Sequence, residues 1–117
     1  MQGDEVRPVA GVEGFFAYDL RVGTVVSAHD HPTARKPAYV LTIDFGPLGR
    51  KVSSAQLTRP YRAAELMGRQ VVAVVNFPPR RIGGVVSEVL VLGGVPGEGD
   101  VVLLAPSERV PDGTPIS

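Results

Sequence analysis

From Leu20 onward the chain is written in short runs of β-branched and aliphatic residues, each cut off by glycine or proline before it reaches helical length. LRVGTVVSA (20–28), AYVLTIDFG (38–46), RQVVAVVNF (69–77), VVSEVLVL (85–92) and DVVLLA (100–105) are all of this kind. Such runs read as strands. In AYVLTIDFG, Tyr39, Leu41, Ile43 and Phe45 face one way, and Thr42 and Asp44 face the other. In LRVGTVVSA, Leu20, Val22, Thr24 and Val26 oppose Arg21, Gly23, Val25 and Ser27. HDHP (29–32) closes the first strand as a turn, and GPLG (46–49) is a hairpin turn returning the chain through RKVSSA.

One segment reads as a helix: RPYRAAELMG (59–68), with Pro60 at its start and Gly68 at the C-terminal cap position. GGVPGEGD (93–100) reads as a connection between strands. Residues 1–14 lack periodicity and read as a flexible arm, which Phe15, Phe16 and Tyr18 pack from a short turn of helix. Three strands, a short helix and more strands define a mainly β fold. The expectation is an OB-fold over residues 15–117: a five-stranded Greek-key barrel, one short helix between strands 3 and 4, and extra flanking strands. Val71–Val75, Val89–Leu92 and Val101–Leu104 are apolar at both parities, more outward surface than one helix covers, so a homodimer is expected.

Composition removes several functions. With no cysteine there is no disulfide framework and no thiolate metal site. No apolar run approaches the ~20 residues of a membrane helix, so no membrane insertion is expected. The acidic opening MQGDEVRPVAG is unlike a secretory signal, which makes the cytoplasm the expected compartment. His29-Asp30-His31 offers too few ligands for zinc, which takes three or four, and neither metal nor cofactor is expected. Ser53-Ser54 lacks the adjacent base that a nucleophile needs, so no catalytic residue is assigned and the chain is not expected to be an enzyme.

What remains is charge. The formal net charge is zero, yet residues 33–81 carry nine lysines and arginines against two acids, while both flanks are acidic. A basic middle between acidic ends points to a local anionic partner. Arg35-Lys36, Arg50-Lys51 and Arg80-Arg81 are the candidate phosphate contacts, with Ser54, Gln56, Asn76 and Ser87 supplying amide and hydroxyl groups. Pro78-Pro79 stiffen the exit of one strand and Gly83-Gly84 turn the chain back. Tyr39 and Phe45 face inward, leaving Tyr61 and Phe77 as the available stacking platforms. A surface rich in arginine and poor in free aromatics fits folded RNA better than single strands. The alternative is a holdase that grips unfolded polypeptides on its apolar strands and whose basic face binds no RNA.

The ordered combination of HPTARK, SSAQ, VVNFPPR and SEVLVLGG resembles the tRNA-binding domain family, and within it the stand-alone CsaA-like branch of export-related chaperones. The resemblance runs from about Phe15 to Ser117. It implies an OB-fold, a homodimer, tRNA bound by shape and no catalysis. It places the RNA face on Lys36, Asn76, Ser87 and Leu90. It also implies that unfolded or preprotein segments are held on an apolar surface near the dimer contact.

Overall fold

The computed structural model describes residues 5–117. Its centre is a five-stranded antiparallel sheet in the order β3-β2-β1-β4-β7, built from β1 (Leu20–Asp30), β2 (Tyr39–Asp44), β3 (Arg50–Ala55), β4 (Gln70–Val74) and β7 (Leu90–Val91). Two hairpins flank it: β5 (Arg80–Ile82) with β6 (Val85–Ser87), and β8 (Gly93–Gly97) with β9 (Asp100–Leu103). α1 (Val12–Phe15) precedes the sheet, and α2 (Ala63–Leu66) lies between β3 and β4. The sheet curls into a nearly closed barrel, the OB-type architecture expected.

β1 is long enough to serve both halves of the barrel. Leu20–Thr24 pairs with β4, Thr24–Asp30 pairs with β2, and an irregularity between Val25 and Ser27 marks the change of register. An extra residue at such a point bends a strand and increases its twist. The core is formed by Val25, Tyr39, Leu41, Ile43, Phe45, Leu57, Leu66, Val71, Ala73 and Val89. Gly23 faces this core because nothing larger fits: a Cβ there would sit 2.6 Å from Ile43 and 2.7 Å from Phe45.

The barrel closes through Ser87 and Glu88, by one main-chain bond and two side-chain bonds, where regular ladder pairing runs out. The Glu88 N–H donates to Val52 O (2.7 Å), while Glu88 Oε1 accepts from the Val52 N–H (3.0 Å). Two residues along β3, Ser87 Oγ accepts from the Ser54 N–H (3.0 Å). Glu88 is half-buried, so removing its acceptor leaves the Val52 N–H with part of the about 1–3 kcal/mol that an orphaned buried donor costs. Glu88→Ala is therefore expected to lower stability by about 1 kcal/mol, and Glu88→Gln, which keeps Oε1, by clearly less. The denaturant midpoint of each variant measures this.

Several expectations need correction. HDHP does not end the first strand: His29 and Asp30 pair with Val40 and Tyr39, and the turn begins only after His31. The helix is four residues rather than ten, because Arg62 is extended (φ −91°, ψ 151°) and separates α2 from the preceding turn. The Arg62 N–H, 2.7 Å from Glu65 Oε1, caps α2 and holds the Glu65 carboxyl below the usual carboxylate range. VVSEVLVL is two strands, since the chain leaves β5's side at Glu88, closes on β3, and then joins β4. GGVPGEGD contains β8 rather than only a connection, with Gly93 lying so close to β9 that a Cβ would meet Val101 at 2.6 Å.

The apolar strands also divide. Gln70–Val74 is buried entirely within the chain and needs no second copy to cover it. Alongside β1, the C-terminal segment is tied down by Gly113 N–H to Val22 O, Val22 N–H to Thr114 O and Ile116 N–H to Leu20 O. On β9, by contrast, Val101 and Leu103 pack inward while Val102 and, just beyond the strand, Leu104 stay exposed. Phe15, Phe16 and Tyr18 are exposed as well, because α1 buries none of its residues. The helix begins inside the stretch read as an arm, and residues 1–4 of that stretch lie outside the described residues.

Candidate nucleic-acid interface

The outer edge of the barrel at Ser54–Gln56 is flanked by two loops carrying the basic pairs. One is the turn after β1, residues 32–37, with Arg35 and Lys36 exposed. The other is the β5–β6 hairpin, whose two-residue turn has positive φ at both Gly83 (55°) and Gly84 (87°). Positive φ at both central positions matches the twist of a tight hairpin and strongly favours glycine.

Between these loops lies a hollow of about 320 Å³, walled by Thr33, Arg35, Lys36, Ser54, Gln56, Ile82 and Gly83, among others. A second hollow, about 270 Å³, shares Ser54 and Ile82 with it and adds Phe77, Arg80, Ser87, Glu88 and Leu90. A third, about 360 Å³, shares Lys36 and Gln56 with the first and continues to Thr58 and Arg59. The three form one track along the β3 edge, with Phe77, Leu90, Arg80 and the acidic Glu88 at one end and Arg35, Lys36 and Arg59 along the rest.

The structure thus brings together Arg35, Lys36, Ser54, Gln56, Arg80, Ser87 and Leu90. It sets four other candidates apart. Lys51 and Asn76 line a separate hollow with Asp19, Phe45 and Leu48. Arg50 stands opposite Asp44 in the β2–β3 ladder, and Arg81 stands opposite exposed Val86. Arg80 and Arg81 are consecutive in a strand, so their side chains leave on opposite faces, and only Arg80 lines the track.

Among the described residues, Arg35, Lys36 and Arg80 make no ion pair, whereas Arg59 is tied to Asp100 (3.3 Å) and Arg21 to Asp19 (2.6 Å). Three exposed cations around one concave edge, none neutralised, make a ready counter-surface for an anion.

Two amide and hydroxyl candidates are already engaged within the chain. Asn76 Oδ1 accepts from the Asp19 N–H and its Nδ2 donates to Ala17 O, both at 2.9 Å. That amide orders the approach to β1 and sets Tyr18 edge-on against Phe77, ring centroids 5.7 Å apart. Ser87 Oγ closes the barrel onto Ser54, as described above. Of the two expected platforms, Phe77 is at the mouth of the track. Tyr61 is spent on structure: its hydroxyl accepts from the Leu103 N–H, its carbonyl accepts from Tyr39 Oη, and Arg69 lies 5.0 Å from its ring centroid. Sequence reasoning missed Thr33, Thr58 and Arg59, whose places depend on loops meeting across the barrel. It also missed what buried His31 does.

Among the described residues, no group of three or more histidines and acids could hold a metal ion, and no helix is long and apolar enough to cross a membrane.

A barrel of this topology is of the OB type, a fold whose exposed face and loops often bind oligonucleotides. The family model for the putative tRNA-binding domain matches residues 20–115, and the chain belongs to that family. It is similar to the solved chaperone CsaA of Bacillus anthracis str. Ames, at 57% identity and a TM-score of 0.91, covering 94% of this chain and all of the other. The CsaA chaperone protein of Picrophilus torridus is 42% identical with a TM-score of 0.87, covering 93% of this chain and all of that one. Among sequence relatives, the methionine–tRNA ligase of Pyrococcus furiosus is 36% identical over 115 residues. The match takes in 98% of this chain but only 16% of the ligase's length.

Proposed function

We propose that the protein binds tRNA or another folded RNA, without catalysis, along the track from Phe77 to Arg59. The observation that carries this is the set of unpaired cations Arg35, Lys36 and Arg80 around one concave barrel edge. The tRNA-binding domain match over residues 20–115 supports RNA as the anion. Phosphates would meet the three cations, while Ser54 and Gln56 offer polar groups between them. Ser87 lines the track but is engaged in closing the barrel, while Arg50, Lys51, Asn76 and Arg81 stand off it and would add only long-range attraction or structural support. The short loops fit a folded backbone read by shape, with Phe77 the one aromatic that lines the track. The expectation of a surface poor in free aromatics does not hold near α1, where Phe15, Phe16 and Tyr18 are also exposed. Competition decides it: bulk tRNA should displace a labelled tRNA far better than unstructured RNA of equal length. Equal competition by the two would sink the folded-RNA reading.

A second reading has its own observation. Phe15, Phe16, Tyr18, Phe77, Leu90, Val102 and Leu104 are all exposed, and two solved relatives are described as chaperones. Exposed apolar groups at this density mark an interaction surface. We assign Val102 and Leu104 to a homodimer contact, and the aromatic group beside α1 to unfolded or preprotein polypeptides in an export-related chaperone role. Suppression of aggregation should then persist at high salt, because apolar burial is not screened. Failure to bind any unfolded client at micromolar concentration would leave the RNA role alone.

A further inference from the structure

We propose that His31 is a positioning residue, whose imidazole fixes the distance between the two basic loops of the track. The inference deepens the RNA-binding reading and rests on it. His31 is buried, and both ring nitrogens are used: Nε2 lies 2.7 Å from Ile82 O, and the Thr33 N–H donates to Nδ1 at 3.1 Å. Each partner has one possible role, since the carbonyl can only accept and the amide can only donate. The ring is therefore a neutral imidazole with its proton on Nε2. The His31 N–H donates to Ala38 O (2.9 Å), which anchors the ring to the end of β1.

Two more features bring the hairpin onto this ring. Thr33 Oγ1 donates to Gly83 O. A Cβ on Gly83 would stand 2.7 Å from Thr33 O and 3.1 Å from His31 Cε1, so only a glycine lets the turn approach this closely. The β5–β6 hairpin has three residues in each strand, and an isolated two-stranded hairpin is marginal in water. It is held at its base by Ser87 and Glu88 closing on β3, and at its tip by His31 and Thr33. Arg80 rides on this hairpin, while Arg35 and Lys36 follow His31 in the opposing loop. The imidazole is the rivet between them, and preorganising both loops spares the ordering cost at the moment of binding.

Two substitutions separate the rivet from the local turn. His31→Asn keeps an acceptor for the Thr33 N–H but is too short to reach Ile82 O. His31→Gln places an amide donor about where Nε2 stands. Loss of tRNA affinity by roughly 3- to 10-fold is expected for His31→Asn, with His31→Gln within about twofold of wild type. In RNA-free protein, amide exchange at Ile82 and Val85, the bonded pair next to the turn, should quicken in His31→Asn alone, with exchange in β1 and β4 unchanged. If the two variants bind alike, whether both normally or both weakly, the proposal is overturned. Should wild type fail to bind tRNA at all, the RNA reading falls, and the exchange data alone then judge the rivet: faster hairpin exchange only in His31→Asn keeps it, and unchanged exchange removes it.

Discussion

A triple charge reversal, Arg35→Glu, Lys36→Glu and Arg80→Glu, is expected to weaken tRNA binding by on the order of 100- to 1,000-fold near 0.1 M salt, with folding intact. Each neutralised phosphate releases close to one counterion, so one contact is worth nearly tenfold in affinity at that salt, and three are lost together. All three side chains are exposed, and among the described residues none belongs to an ion pair, so their removal strands no partner. Arg81→Glu is the internal control. It changes the same charge one residue away, but on the face of β5 opposite the track, and should cost only a few-fold through long-range attraction, which fades beyond about 10 Å. Equilibrium binding of labelled tRNA to each variant measures both. Equal losses from Arg80→Glu and Arg81→Glu would mean that net charge, not the track, governs binding.

The largest expected effect on stability is Phe45→Ala, about 3–5 kcal/mol. Phe45 is fully buried at the end of β2 and fills the space that Gly23 leaves on β1. Its carbonyl also lies where a Cβ on Gly113 would come within 2.5 Å, so the C-terminal segment is seated against the same residue. Gly23→Ala in the wild-type chain overpacks this point and should cost about 1–3 kcal/mol. In a Phe45→Ala background the same methyl enters a cavity, so its penalty should shrink or reverse. A double-mutant cycle by denaturant unfolding gives the coupling directly. Additive penalties would show that the two residues do not share one space.

The sequence was most legible where one strand has one job. Tyr39, Leu41, Ile43 and Phe45 are all buried as read, and from Leu41 onward β2 alternates with half-buried Thr42 and Asp44, although Val40 on the other face is buried as well. Legibility failed where a strand changes partner. Residues 85–92 look continuous in hydropathy, yet the chain pairs with β5, closes on β3 through Ser87 and Glu88, and only then joins β4. Nothing in local periodicity records a change of partner. β8 was missed for a related reason: Gly93 and Gly94 carry no side chains to alternate.

The candidate site was half legible. Basic dipeptides can be counted in a sequence, but the face each residue takes comes from register, which separates Arg80 from Arg81 and sets Arg50 against Asp44. Asn76 shows the limit of motif reasoning, since its amide is engaged by Asp19 and Ala17 across some 57 residues of chain. His31 shows it too: next to Pro32 it reads as turn chemistry, and its second bond, to Ile82, lies 51 residues away.

The most direct test of the central claim is the salt dependence of tRNA binding by the wild-type chain beside the triple reversal. A log–log slope of about −2 to −3 or steeper is expected for wild type, flattening by most of that in the variant, as three phosphate contacts require. A wild-type slope near zero, or one that the triple reversal leaves unchanged, would contradict the account and turn attention to the exposed apolar groups around Phe77 and Leu104.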